Sequence, residues 1–187
     1  MPHHQRADAR RNYARILAVA EEEVAAHGAE ASLERIARVA GVGSATVRRH
    51  FPGRSALLEA VFRERIEALC ARAAASADAV DARAALLDWL EALTEYAASA
   101  RGMAEALAQD RLVEPERVSA CSVKLEGAVE PLLRRAVESG AVAPTITAAD
   151  LLTLVTGIAL ATERHADPAA EGRRLLELTV RGVSPSR

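Results

Sequence analysis

The stretch ARVAGVGSATVRRHF, residues 37–51, decides how the chain is read. An alanine-rich helical end runs into Gly41-Val42-Gly43, and a short apolar-periodic segment then closes on Arg48-Arg49-His50-Phe51. Upstream, Ser32 can cap a short helix, with Glu34 in its first turn near the positive end of the helix dipole. Leu33, Ile36, Ala37 and Ala40 form the inward face of that helix. Downstream, Gly43 can serve as the cap of a helix from Ser44 to about His50, with Val47 and Phe51 pointing inward at i and i+4. Two short helices joined by a three-residue turn that bears glycine form a helix-turn-helix. Pro52-Gly53 then breaks the chain.

Working outward, helical periodicity dominates and no strand pattern emerges. Tyr13, Ile16, Leu17, Ala20 and Val24 mark one face of a helix over about residues 9–27, which Gly28 ends. Glu21, Glu22 and Glu23 fall among its surface positions. His3 and His4 read as a disordered tail. A longer helix from Arg54 to about Ala74 carries Leu57, Leu58, Val61, Phe62 and Leu69, and Ser76–Val80 bends the chain. The helix over 81–100 is apolar on most sides, so it is expected at the centre of its domain. Gly102 opens a short helix holding Met103 and Leu107. Residues 116–139 are helical, with Pro131 expected to kink or split them and Gly140 to end them. Thr147 with Asp150 resembles a capping box for a helix to about His165. Asp167-Pro168 caps a last helix to about Arg181. Glu163-Arg164-His165 reads as a helix end rather than a catalytic or metal cluster, because consecutive helical residues point in different directions.

Composition narrows the function. Half of the 187 residues are hydrophobic but only 3% are aromatic. The apolar mass is Ala, Leu and Val, which suits packed helices. The net charge of −2 hides an asymmetry: residues 1–65 balance at +3 and residues 66–187 at −5. Such a split suggests that the first third alone meets a polyanion. Cys70 and Cys121 are too few for a disulfide framework or a zinc site and read as small buried residues. There is no secretory leader and no run of about 18 apolar residues, so a soluble cytoplasmic protein without a membrane span is expected. No phosphate loop, nucleophile elbow, spaced zinc ligands or carboxylate pair is present, so neither enzyme activity nor a metal or cofactor is expected.

The basic residues after the glycine turn now have a physical role. A recognition helix needs one apolar face to hold it on its support and an opposite face that donates to phosphates and base edges. Val47 and Phe51 supply the first; Ser44, Thr46, Arg48, Arg49 and His50 supply the second. An arginine can fork onto guanine O6/N7 or a phosphate, and Thr46 can bond a phosphate or touch a thymine methyl. Arg54 stands at the N-terminus of the next helix, where backbone N–H groups and a cation together grip phosphate. Arg6, Arg10 and Arg11 form a basic N-terminal arm able to reach an adjacent groove.

Residues 12–65 resemble the DNA-binding domain of the TetR family of transcriptional repressors. The matching stretches are ILAVAEEEVAAHG, ERIARVAGVGSATVRRHF and GRSALLEAVF. Departures from the family pattern are Gly43 for a usual serine, Arg48 for a usual tyrosine and Arg54 for a usual lysine. The resemblance implies an all-α chain of about nine helices. A helix-turn-helix domain over residues 1–55 is followed by a helical effector-binding and dimerisation domain over 56–187. It implies DNA contacts from Ser32, Ser44, Ala45, Thr46, Arg48, Arg49, His50 and Arg54. Glu34 holds a position that sometimes touches bases in the family; serving the helix dipole is the favoured reading here.

For the second domain the resemblance implies a two-fold homodimer through the final two long helices. Leu151, Leu154, Val155, Ile158, Thr162, Leu175 and Leu178 are the interface candidates. Trp89, Tyr96, Met103, Cys121, Leu125 and Thr156 are the candidates for lining an effector pocket. The expected function is a sequence-specific regulator, a repressor released from a palindromic double-stranded DNA operator by a small apolar effector. An activator, or an orphan regulator whose second domain binds a protein, remains open at this point.

Overall fold

The computed structural model describes residues 2–27, 30–99 and 115–182. These form eight helices and no strand: α1 (Pro2–His27), α2 (Leu33–Val39), α3 (Ser44–His50), α4 (Arg54–Ala75), α5 (Ala82–Ser99), α6 (Pro115–Glu138), α7 (Ala148–Thr162) and α8 (Pro168–Arg181). The expected all-helical class is observed. Gly28, Met103 and the short helix expected from Gly102 lie outside the described residues. The chain divides into two compact units, one up to Glu64 and one from Arg65 onward.

In the first unit Ile16, Ala20 and Val24 of α1 enclose Ile36 of α2, Val47 of α3, Phe51, and Leu57, Leu58 and Val61 of α4 in one core. Removing each such side chain from water stabilises the unit by roughly 1.5–3 kcal/mol. The turn between α2 and α3 is set by Gly41, whose φ of 63° lies in the left-handed region. Its N–H bonds the Arg38 carbonyl and the next N–H, of Val42, bonds the Ala37 carbonyl. This paired closure satisfies the last carbonyls of α2 and reverses the chain within three residues. Phe51 ends α3; its N–H bonds Val47 O at 2.8 Å, and its ring stacks on Tyr13 at 5.2 Å.

Two expectations for this unit are corrected. Helix α1 begins at Pro2, not near residue 9. Proline at the first helical position needs no N–H partner, and Gln5, Arg6 and Ala7 favour helix. His3 and His4 are therefore helical rather than a tail, and Arg6, Arg10 and Arg11 continue α1 rather than form a free arm. Glu23 is buried, at 8% exposure, rather than on the surface.

In the second unit α5 packs against α6, α7 and α8. Leu86, Trp89, Leu90 and Leu93 of α5 are buried, as the all-round apolar pattern predicts. The Trp89 indole N–H donates to Leu69 O at 2.9 Å, and Arg135 Nη1 donates to Ala77 O at 2.6 Å across the bend after α4. Pro131 sits inside α6 without splitting it. Val129, Leu132, Leu133 and Ala136, all buried, hold that helix across the missing hydrogen bond. Gly140, at φ 74°, closes α6 with the same pair of bonds seen at Gly41. The capping box at Thr147 and Asp150 and the Asp167-Pro168 cap both form. Glu163 caps the end of α7.

Where α5, α7 and α8 meet, Gly172 allows close approach: a Cβ there would stand 3.1 Å from Thr94 Cγ2. Thr94 and Thr162 are buried, and each hydroxyl donates to a carbonyl four residues back in its own helix, Leu90 O and Ile158 O. Thr156 and Thr179 do the same on exposed faces. No helix among the described residues is long and apolar enough to cross a membrane.

Candidate nucleic-acid interface

The geometry of α3 follows from its anchors. Val47 and Phe51 are buried in the core of the first unit, so the residues between and before them are turned outward. Ser44, Ala45, Arg48 and Arg49 are exposed, and Thr46 is half-buried. Arg48 and Arg49, one helical step apart, put two cations on the exposed part of α3, which suits it to an anionic groove. His50 is half-buried, its ring 5.8 Å from Tyr13 in an edge-on arrangement. His50 thus buttresses the end of α3 through Tyr13, whatever else it touches. Arg54 is exposed as the first residue of α4.

Ser32 does cap α2. Its hydroxyl accepts from Arg35 N at 3.3 Å and donates to Glu34 Oε2 at 3.5 Å. Its own N–H donates to Glu23 Oε1 at 3.4 Å. The carboxylate of Glu23 also takes Arg35 Nε at 3.0 Å, and His27 Nδ1 stands 3.4 Å away. One buried carboxylate from α1 therefore fixes the entry of α2, and through α2 the turn that aims α3. Reading the sequence missed this residue. The signal lay in its spacing: Glu23 is i+3 from Ala20 and i−4 from His27, at the edge of the inward face.

Two further carboxylates were also missed as partners. Glu34 Oε1 lies 3.9 Å from Arg48 Nη2, and Glu30 Oε2 lies 3.6 Å from Arg54 Nη1. Among the described residues Arg49 has no such partner.

In the second unit the expected pocket residues separate. Trp89 and Leu125 are buried, Tyr96 and Cys121 half-buried, and Thr156 is exposed with its hydroxyl on Leu152 O. Burial pushes the Tyr96 phenol well above its usual range; Arg65 pulls it down and Cys121 adds to the rise. Tyr96 is therefore a neutral donor at ordinary pH. Burial likewise raises the Cys121 and Cys70 thiols against the pull of Lys124, so both stay protonated rather than becoming nucleophilic thiolates. Among the described residues no group of His, Cys, Asp and Glu is placed to hold a metal ion.

Between α7 and α8 runs an open apolar groove of about 650 Å³, lined by Leu154, Gly157, Ile158, Ala161, Leu175 and Leu178 among others. Of the expected interface set, Val155 and Thr162 are instead enclosed within the chain, at 1% and 0% exposure, and Leu151 is half-buried.

Known proteins agree with this architecture. Residues 16–61 match the family model described as bacterial regulatory proteins, tetR family, and residues 81–185 match that of the SbtR-like transcriptional regulator C-terminal domain. A TetR transcriptional regulator from Streptomyces coelicolor is 33% identical over 94% of this chain and 99% of its own, with a TM-score of 0.76. A TetR transcription regulatory protein from Mycobacterium vanbaalenii is 28% identical over 97% of this chain and 99% of its own, with a TM-score of 0.72. The fold is shared with the regulator FadR of Bacillus subtilis, solved in complex with stearoyl-CoA, at 18% identity over 92% of this chain and 100% of that one and a TM-score of 0.58. No curated protein sequence matches the chain significantly. With both halves matched and a relative one-third identical along nearly its whole length, the chain belongs to the TetR family of transcriptional regulators.

Proposed function

We propose that the chain is a homodimeric repressor that leaves its operator when a small apolar effector binds the second unit. The observation that carries this is α3: buried Val47 and Phe51 on one side, exposed Ser44, Ala45, Arg48 and Arg49 on the other. Thr46, His50, Ser32 and Arg54 complete the proposed DNA-contacting set within residues 1–55. Each protomer inserts α3 into the major groove of one half-site of a pseudo-palindrome, and the dimer axis sets the spacing. Arg48 reads a guanine, Arg49 and Arg54 hold phosphates.

The dimer forms along α7 and α8. Leu160, Leu178 and Val180 remain exposed there beside the groove that Leu154, Ile158 and Leu175 line, an apolar face complementary to a second copy of itself. The effector site is proposed around Trp89, Tyr96, Cys121 and Leu125. Its side chains are mostly apolar with the Tyr96 hydroxyl as a polar handle, and the solution of FadR of Bacillus subtilis in complex with stearoyl-CoA supports a long apolar ligand for a chain of this fold. The effector releases DNA by no more than its differential affinity for the two dimer conformations.

Fluorescence anisotropy tests the reading. At about 150 mM salt, the duplex flanking the chain's own gene should bind on the order of 10³-fold more tightly than a shuffled duplex of equal length. Arg48→Ala should relax the sequence preference, whereas Arg49→Ala should weaken both duplexes alike. Equal, salt-sensitive binding to both by the wild-type chain would count against a local operator. Leu178→Glu should convert the dimer to a monomer in sedimentation equilibrium; an unchanged mass would move the interface elsewhere.

A further inference from the structure

Two of the three exposed arginines proposed to meet DNA already have a carboxylate beside them. Arg48 Nη2 lies 3.9 Å from Glu34 Oε1 and Arg54 Nη1 lies 3.6 Å from Glu30 Oε2. The two glutamates flank Ser32, one just before α2 and one in its first turn, and each reaches a different helix of the reading head. All four side chains are exposed, so the pairs add little to the stability of the fold. Their effect lies in what the arginines meet next. A phosphate approaching Arg48 or Arg54 meets a guanidinium that already has a carboxylate beside it, and that carboxylate is then held near a polyanion.

We infer that Glu34 is a specificity-determining residue that suppresses binding to DNA lacking the operator. The inference rests on the reading of α3 and Arg54 as the DNA-contacting elements. A duplex held only through its phosphates draws Arg48, and with it the neighbouring Glu34 carboxylate, against the polyanion. A sequence that offers Arg48 a correctly placed guanine O6 and N7 takes the guanidinium to the base edge, away from Glu34, and returns two directed hydrogen bonds. Glu34 thus widens the gap between correct and incorrect DNA by penalising the incorrect one. Glu30, beside the phosphate-holding Arg54, opposes every duplex alike. Arg49, without a partner among the described residues, keeps an unopposed grip on phosphate.

The test uses the full chain and two duplexes of equal length: one enriched by the wild-type protein from a random-sequence library, and one of mixed sequence. Glu30→Gln should tighten both duplexes alike, whereas Glu34→Gln should bind the mixed duplex about fivefold more tightly at 150 mM salt, with a steeper salt dependence by up to about one counterion. Affinity for the enriched duplex should change less, so the ratio between the two falls. Glu22→Gln, an exposed position on α1, makes the same change in net charge and should leave the ratio unchanged. In an Arg48→Ala background the effect of Glu34→Gln should disappear.

Three results would overturn the inference. Glu34→Gln could tighten binding no more than Glu22→Gln, or equally with and without Arg48, which makes the effect bulk charge. Glu34→Gln could weaken the enriched duplex without strengthening the mixed one, which makes Glu34 a base contact. If the wild-type chain enriches no duplex, the DNA reading itself fails and takes the inference with it. Unchanged helical content and urea midpoints in the variants separate all of these from misfolding.

Discussion

In the first unit the core collects Ile16, Val24, Ile36, Val47, Phe51 and Leu57, and the outward face of its reading helix is arginine. In the second, the last two helices leave Leu160 at 68% exposure, with Leu178 and Val180 also in solvent, beside an apolar groove. The first unit satisfies itself: its buried carboxylate is bonded, its turn closed and its core enclosed within one chain. The second leaves part of its apolar surface in solvent among the described residues. The difference teaches that the reading head is held by contacts within its own unit, whereas the surface along α7 and α8 stays apolar and exposed.

The sharpest way to break this comparison is Phe51→Ala. It removes the side chain that joins α3 to Tyr13 and to the core, and should cost about 3–5 kcal/mol. If the first unit holds itself together, a low-urea transition should appear that abolishes DNA binding while the helices of the second unit persist. A single coincident transition would mean that the units unfold as one. Glu23→Ala comes next. It strips acceptors from Ser32 N–H and Arg35, and should cost about 1–3 kcal/mol in urea unfolding, at the lower end because Arg35 is half in solvent. A loss confined to stability with operator preference intact would remove Glu23 from its role in aiming α3.

Gly172→Val tests the second unit from inside. The added atoms meet Thr94 and Ile158, and should cost about 1–3 kcal/mol, read as a lower urea midpoint. A neutral result would mean that α8 can shift without penalty. The smallest effect is expected at Asp150. The Thr147 hydroxyl and N–H donate to its carboxylate and hold its pKa below the usual carboxylate value of roughly 3.9. A depressed folded pKa means that the contribution is complete above the unfolded value and is lost as pH falls through the folded one. The urea midpoint of the wild-type chain should therefore exceed that of Asp150→Asn by a margin that shrinks below about pH 4. A margin independent of pH would mean that the cap works through geometry alone.

How much was legible in the sequence divides along the same line. Helix existence, the glycine turn, the caps at Ser32, Thr147 and Asp167, and the burial of Val47 and Phe51 are local matters, fixed by residues within one or two turns. Among the described residues they were read correctly. Glu23 was placed on the surface because its partners, the amide of Ser32 and the guanidinium of Arg35, come from the next helix and no spacing rule connects them. Pro131 was expected to kink or split α6, and it does not split it, because the local cost is visible in sequence while the buried neighbours that outweigh it are not. Val155 and Thr162 were grouped with Ile158 on one α7 face, yet α7 has apolar residues around most of its circumference. Only packing against α5 and α8 decides which of them are enclosed and which line the groove.

The threonines carry one more consequence. At positions 94, 156, 162 and 179 each hydroxyl gives its hydrogen to a carbonyl of its own helix. A hydroxyl engaged in this way has no hydrogen left to donate, so towards its neighbours each of these residues presents a methyl group and acceptor lone pairs only. Thr94 and Thr162, enclosed where α5, α7 and α8 meet, therefore offer the neighbouring helices an outline and no donor, so a valine at either place would keep the contour and give up only the bond along its own helix.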